Sequence, residues 1–240
     1  NKRSSMSTTS QATKKKRPTR NKTVGEPKKR RRLDPKEREK LIVDAAVKFF
    51  AEHGFEGTTR QLAERLGVTQ PLLFRYFPTK QALIEQVYEQ VYISRWNSEW
   101  DKLLKDRNRS LSDRLVEFYK QYAGSVYDYV WVRTFIYSGL AGAGINDRYL
   151  VFIQKRFLVP VCIEMRHEND LPAVSKAQIS EEELELAWGM HGMFIYRAIR
   201  HFVYGIPMVK DIDKSIENDV RIFMKGAPSV YKRVIRNANK

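Results

Sequence analysis

Three helix-start signals crowd into little more than twenty residues, at Thr58, Thr69 and Thr79, and this spacing constrains the fold more than any other feature of the chain. A Thr hydroxyl ahead of a helix satisfies one of the backbone N–H groups that the first turn leaves unpaired. Thr58 is followed at three residues by Gln61, the spacing of a capping box, and then by Leu62, Ala63 and Leu66 on one face before Gly67 stops the helix. Only Gly67-Val68-Thr69 separates this helix from the next, Gln70 to Phe77. There Leu73 and Phe77, four residues apart, share a face, and Pro71 falls in the first turn, where its missing N–H costs nothing. Upstream, Asp34-Pro35-Lys36-Glu37 opens a helix whose stripe is Leu41, Ile42, Ala45, Ala46, Phe49 and Phe50, closed by His53-Gly54.

After Pro78-Thr79 the helices lengthen. Leu83, Ile84, Val87, Tyr88, Val91 and Tyr92 mark one that extends by the same spacing through Trp96, Trp100 and Leu103. Further helices are predicted over about Ser110 to Tyr129, Val130 to Leu140, Asn146 to Glu168, Ser180 to Tyr204 and Ile212 to Phe223, with Gly, Pro or polar residues between them. No alternating strand pattern or internal repeat intervenes. The expected fold class is all-α: a three-helix N-terminal unit over 34–78, followed by a larger helical domain over 79–240.

The net charge of +16 on 240 residues is concentrated at one end. Residues 1–33 hold thirteen Lys or Arg against a single acid, Glu26, and so carry twelve of the sixteen net charges. With almost no large apolar residue this segment cannot offset the entropy of ordering, and it is expected to be a disordered basic arm suited to a polyanion. It also lacks the apolar stretch of a secretory signal, and nowhere does the chain have the run of about eighteen apolar residues that spans a membrane. A single cysteine, Cys162, excludes an intramolecular disulfide. A cytoplasmic protein without membrane partners is the expectation.

Two short helices joined by a Gly-containing three- or four-residue turn form the helix-turn-helix unit, whose second helix enters the major groove of DNA. The outward residues here suit that task. Gln70 and Arg75 are assigned to bases, since Gln pairs bidentately with adenine and Arg with guanine. Thr59, Arg60, Thr69, Pro71, Phe74, Tyr76 and Lys80 lie on or beside the helix ends that meet the phosphate backbone. The competing reading is a nonspecific nucleic-acid-binding or scaffolding protein driven by the basic arm, which would leave the helical body only an assembly role.

The run Phe50-Ala51-Glu52-His53-Gly54-Phe55-Glu56-Gly57-Thr58-Thr59, with Leu62-Ala63, Gly67-Val68-Thr69, Leu73-Phe74-Arg75-Tyr76-Phe77 and Lys80-Gln81-Ala82-Leu83, resembles the DNA-binding region of the TetR family of repressors over about residues 36–90. Phe74 and Tyr76 depart from it, since the family usually has Tyr at the first position and often His at the second. The resemblance implies a homodimeric, ligand-responsive, sequence-specific regulator on a pseudo-palindromic operator, with an effector pocket in the C-terminal helices. It also implies a four-helix dimer interface from the last two long ones. Gly189 and Gly192, inside the Ser180 to Tyr204 segment, would allow the close helix approach that such an interface needs.

Residues 96–204 are rich in aromatics, and pockets in helical bundles are lined by such apolar walls with a few polar groups. The expected effector, apolar or aromatic, would be held by Trp96, Trp100, Tyr122, Trp131, Arg133, Tyr137, Trp188 and His191. The positive balance of the polar members points to an acidic ligand as one form of it. Glu164, His167 and Glu168 share a helix face at metal-ligand spacing, but a solvated helix end explains three such residues without a fourth, and no metal or cofactor is expected. No phosphate-cradling glycine loop or nucleophile paired with a base supports catalysis.

Overall fold

The structure, a computed structural model, describes residues 34–238, and the basic arm expected over residues 1–33 lies outside the described residues. Residues 35–238 form one compact unit. Among the described residues every regular element is a helix.

The first four helices are α1 (Pro35–His53), α2 (Thr59–Leu66), α3 (Gln70–Tyr76) and α4 (Lys80–Tyr88). Their boundaries follow local chemistry. Gly54 ends α1 in the left-handed region at φ 71°, which a side chain would strain. Thr58 and Gln61 close a complete capping box, the Thr58 hydroxyl accepting from the Gln61 N–H at 3.2 Å and the Gln61 carbonyl oxygen accepting from the Thr58 N–H at 2.9 Å. Thr69 and Thr79 cap α3 and α4 with their hydroxyls alone, accepting from the N–H groups of Leu72 and Ala82.

The helical pattern through Trp96 and Leu103 is interrupted in the structure. A π-helical turn over Glu89–Ile93 follows α4, and α5 starts only at Glu99 and runs to Lys105. The Ser94 hydroxyl bonds the Gln90 carbonyl at 2.8 Å, and Arg95 leaves the helix line to reach the Ser125 carbonyl and the Asp128 carboxylate, both at 2.8 Å. The two Arg95 bonds are tertiary and compete with continued helix, and residue spacing cannot reveal them.

Five longer or stacked elements make the remainder: α6 (Leu111–Val126), α7 (Tyr129–Ala141), α8 (Ile145–Ile153) with α9 (Val159–Glu168), α10 (Glu181–Phe202) and α11 (Ile212–Ala238). The single helix expected over Asn146 to Glu168 is divided by a π-helical turn, Gln154–Leu158, just ahead of Pro160, whose missing N–H disrupts the ladder there. α11 runs fifteen residues beyond Phe223 and carries Pro228 in its interior. Burial of Ala227, Tyr231, Val234 and Ile235 on its inner face offsets that break.

One continuous core joins all of these. α1 packs on both α4 and α7, so the short N-terminal helices rest on the larger bundle through α1, while α10 packs on α7, α9 and α11. An internal ion pair braces α9 against α10. Arg166 and Glu183 are both almost wholly buried and linked twice, at 2.7 and 2.5 Å, with the remaining Arg166 donors on the carbonyls of Pro172, Ala177 and Gln178.

Candidate nucleic-acid interface and ligand cavity

α2 and α3 meet across Gly67-Val68-Thr69, with Leu62, Ala63, Leu73 and Phe77 buried beneath them. Pinning Leu73 and Phe77 inward leaves Thr69, Pro71, Phe74 and Arg75 exposed on the outer side of α3. Arg75 makes no ion pair among the described residues, so its five donors face solvent. Gln70 is half-buried and donates to the Thr59 hydroxyl at 3.0 Å, which ties the start of α3 to the start of α2. Tyr76 is half-buried and packs against the core.

The two cationic residues expected at the phosphate backbone differ in their engagement. Arg60 is exposed and pairs with Glu64 one turn along α2 at 3.1 Å, an exchangeable surface contact. Lys80 is half-buried and donates to the Phe55 carbonyl, so it fastens the start of α4 to the turn between α1 and α2. An ammonium has three donors, and this bond uses one. Rigidity comes from behind: Arg65 on α2 forms a double bond pair with Glu52 on α1, at 2.5 and 2.9 Å, and this holds the Glu52 carboxyl below its ordinary pKa.

In the larger bundle the expected pocket residues fall into three places. Trp131, Trp188 and His191 line a cavity of about 140 Å³, together with Phe135, Tyr149 and Ile153, which spacing alone had not singled out as pocket residues. Trp96, Trp100 and Tyr122 pack in the adjoining aromatic core instead, Trp96 edge-on to Trp100 at 5.1 Å and Trp100 to Tyr122 at 5.8 Å, with the Trp100 N–H satisfied by Gln121 at 2.8 Å. Arg133 and Tyr137 face α1. Arg133 donates to the Ala51 carbonyl at 2.8 Å and to the Tyr137 hydroxyl at 2.5 Å, its guanidinium 5.0 Å from the ring centres of both Tyr129 and Tyr137. The Tyr137 ring lies beside Gly54, so close that an added Cβ there would meet it at 3.1 Å.

His191 is the ionisable base on the cavity wall. Its Nδ1 is 3.4 Å from the Tyr119 hydroxyl, and its Nε2 has no hydrogen-bond partner among the described residues. Burial among Tyr119, Tyr122, Phe157 and Trp188 pushes its pKa down to about 4, which keeps the ring neutral. The Tyr149 hydroxyl is paired with that of Tyr122 at 2.8 Å.

The acidic face considered for a metal is otherwise engaged. Glu164 pairs with Arg107 at 2.9 Å and with buried Arg114 at 2.8 Å, and Glu168 accepts from the Leu111 N–H at 2.7 Å. Cys162 is buried, its Sγ 3.6 Å from both the Glu183 carbonyl and the Tyr231 hydroxyl, and burial pushes its thiol up to about 11. That excludes an easily formed thiolate. No helix among the described residues is long and apolar enough to cross a membrane.

Comparison with known proteins converges on the N-terminal unit. Residues 42–87 match the family described as bacterial regulatory proteins, tetR family. The class A tetracycline repressor protein from transposon 1721 of Escherichia coli is 34% identical over 85 residues, covering 32% of this chain and 39% of that protein. The HTH-type transcriptional regulator RutR of Escherichia coli strain K12 is 42% identical over 55 residues, or 22% of this chain and 26% of RutR. The matches therefore span well under half the length of these relatives. The backbone resembles solved structures over much more: a putative transcriptional regulator from Pseudomonas aeruginosa PAO1 superposes with TM-score 0.59 at 17% identity, covering 84% of this chain and 96% of that one. A TetR-like regulator from Rhodococcus sp. RHA1 gives 0.56 at 18% identity, covering 81% and 100%.

Proposed function

We propose that this chain is a regulator of the TetR family, which binds a pseudo-palindromic DNA operator as a homodimer and releases it when a small molecule enters the helical body; the match of residues 42–87 to that family's model supports the reading. The observation that carries the DNA reading is the outer side of α3, where Thr69 and unpaired Arg75 stand exposed while Leu73 and Phe77 anchor the helix. A helix so held can enter one major groove, and two copies would reach half-sites about 34 Å apart. In this reading Gln70 and Arg75 read base edges, and Thr59, Arg60, Thr69, Pro71, Phe74, Tyr76 and Lys80 position α3 on the backbone.

The dimer reading rests on an apolar groove between α10 and α11. It is lined by Leu186, Gly189, Met193, Ile222, Phe223 and Gly226, and Ile222 is 67% exposed in the single chain. Gly189 and Gly226 have open space where a Cβ would sit, which suits the approach of a second pair of helices. A copy of the same chain seated there by two-fold symmetry would cover the patch on both protomers.

α7 connects the cavity to the reading head. Trp131 and Phe135 wall the cavity, and Arg133 and Tyr137 on the same helix hold the end of α1. Occupation that moves α7 would move α1, and with it the α2–α3 pair. Such a protein acts by binding rather than catalysis.

Selection of bound sequences from a random DNA pool at physiological salt tests the reading. A recovered palindrome supports it. Recovery of salt-sensitive background alone would overturn it in favour of binding by the basic arm, whose twelve net charges release counterions without reading sequence.

A further inference from the structure

The cavity between α7, α8 and α10 has a volume of about 140 Å³. That is close to the roughly 150 Å³ of an apolar cavity known to take up benzene. Its walls are aromatic and aliphatic, among them Trp131, Phe135, Tyr149, Ile153 and Trp188. Four of the lining side chains carry a polar atom: Tyr149 spends its hydroxyl on Tyr122 at 2.8 Å, Trp131 and Trp188 have indole N–H groups that only donate, and His191 is 4% exposed with Nε2 unpartnered among the described residues. A neutral imidazole has one acceptor nitrogen, and a ligand held against this wall can satisfy it.

Charge is absent from these walls. Arg133 is turned to the Ala51 carbonyl, and Arg197 pairs with Asp219 at 2.5 Å and with the Ser215 hydroxyl at 2.8 Å. Neither guanidinium lines the cavity. The acidic ligand suggested by the positive balance of the sequence therefore has no counter-ion, and an isolated charge in such a site carries a large desolvation cost.

We infer that the cavity takes a neutral single-ring aromatic molecule bearing one hydroxyl, with the ring between Trp131, Phe135 and Trp188 and the hydroxyl hydrogen-bonded to His191 Nε2. This rests on the helical body being the effector domain proposed above. It specifies size, charge and the polar contact, none of which that reading required. His191 acts here as a specificity residue: its ring nitrogen accepts a hydrogen bond from the ligand hydroxyl, while the uncharged walls disfavour a carboxylate.

Isothermal titration of the full chain with phenol, benzoate and toluene near pH 7.5 tests this. Phenol should bind at least a hundredfold more tightly than benzoate, and toluene should bind measurably. His191→Phe keeps a ring of similar size in the same aromatic nest. It should leave toluene binding in place, which also shows that the variant is folded, while the ratio of phenol to toluene affinity falls about fivefold for one lost hydrogen bond. Leu150→Trp, at the 38% exposed mouth of the cavity, should abolish binding of both. Benzoate binding as tightly as phenol, no binding of either neutral compound, an unchanged phenol-to-toluene ratio in His191→Phe, or phenol binding that survives Leu150→Trp would each overturn the inference. Operator affinity measured with and without phenol separates the two readings. Phenol bound in the cavity with operator affinity unchanged supports the ligand class and removes the regulatory link.

Discussion

At the scale of single residues, side chains of like appearance have been given different work by their surroundings. Arg75 and Arg65 lie ten residues apart in the same two-helix unit, yet Arg65 is committed to Glu52 while Arg75 is exposed and unpaired. Replacing Arg75 with Ala should therefore cost little stability and, if it reads a base, about 1 to 3 kcal/mol of operator affinity with relaxed preference at one position. Competition binding with single-base operator variants measures both. His191 gives a prediction in pH. Its native pKa, about 4, lies below the ordinary value of 6.5, so the unfolded chain takes up a proton first as the solution is acidified. The titratable groups facing it are Tyr119 and Tyr122 of α6 and Tyr149 of α8, all with hydroxyls pushed up by burial, so none ionises in this range. The stability that depends on neutral His191 is fully present above about pH 6.5 and is lost progressively toward pH 4, by about 3 kcal/mol at the lower end. The urea midpoint of the parent chain should fall more steeply over this window than that of His191→Phe, which lacks that one component of the fall.

At the scale of elements, α7 and α11 carry the informative contacts. α7 meets the cavity with one face and α1 with the other, and Arg133 spans the second contact. Arg133→Met retains the aliphatic stem and removes the bonds to the Ala51 carbonyl and the Tyr137 hydroxyl. The expected loss is about 2 to 3 kcal/mol in chemical denaturation, from two charge-assisted bonds on a half-buried guanidinium. Intact phenol binding in this variant would place the effect at the α1 contact rather than in the cavity. In α11, Pro228 removes the N–H that would have met the Met224 carbonyl. Pro228→Ala should restore that bond and raise stability by about 1 to 3 kcal/mol, seen as a higher Tm. An unchanged or lowered Tm would mean that the half-buried pyrrolidine ring contributes as much by packing as it costs the helix.

At the scale of the whole molecule, the described chain leaves one apolar groove uncovered between its last two helices, while its charge lies at the other end of the sequence. Ile222→Arg tests the groove with little risk to folding, because the side chain is 67% exposed in the single chain. Light scattering should show the mass fall from dimer to monomer, and operator affinity should fall with it, since two half-sites read by one rigid body gain from being linked. An unchanged mass would move the dimer contact elsewhere on the surface.

What the sequence determined by itself was local. The all-α class, the stops at Gly54 and Gly67, and the caps at Thr58, Thr69 and Thr79 rest on contacts within four residues, so spacing reveals them. Dense local spacing also exposed the family resemblance of the N-terminal unit. Contacts between distant segments were decided by the tertiary structure. Arg133 and Tyr137 sit on an aromatic helix at positions that suit a pocket wall equally well, and only the packing of α1 on α7 turns them away from it. Helix α11 passes a Gly-Ala-Pro stop signal because Tyr231 and Val234 are buried against the rest of the bundle. The cavity needs residues from α7, α8 and α10 in register, and no periodicity within one helix specifies the separation of three. Its charge-free walls follow from where two arginines found their partners, a choice made only when the helices pack.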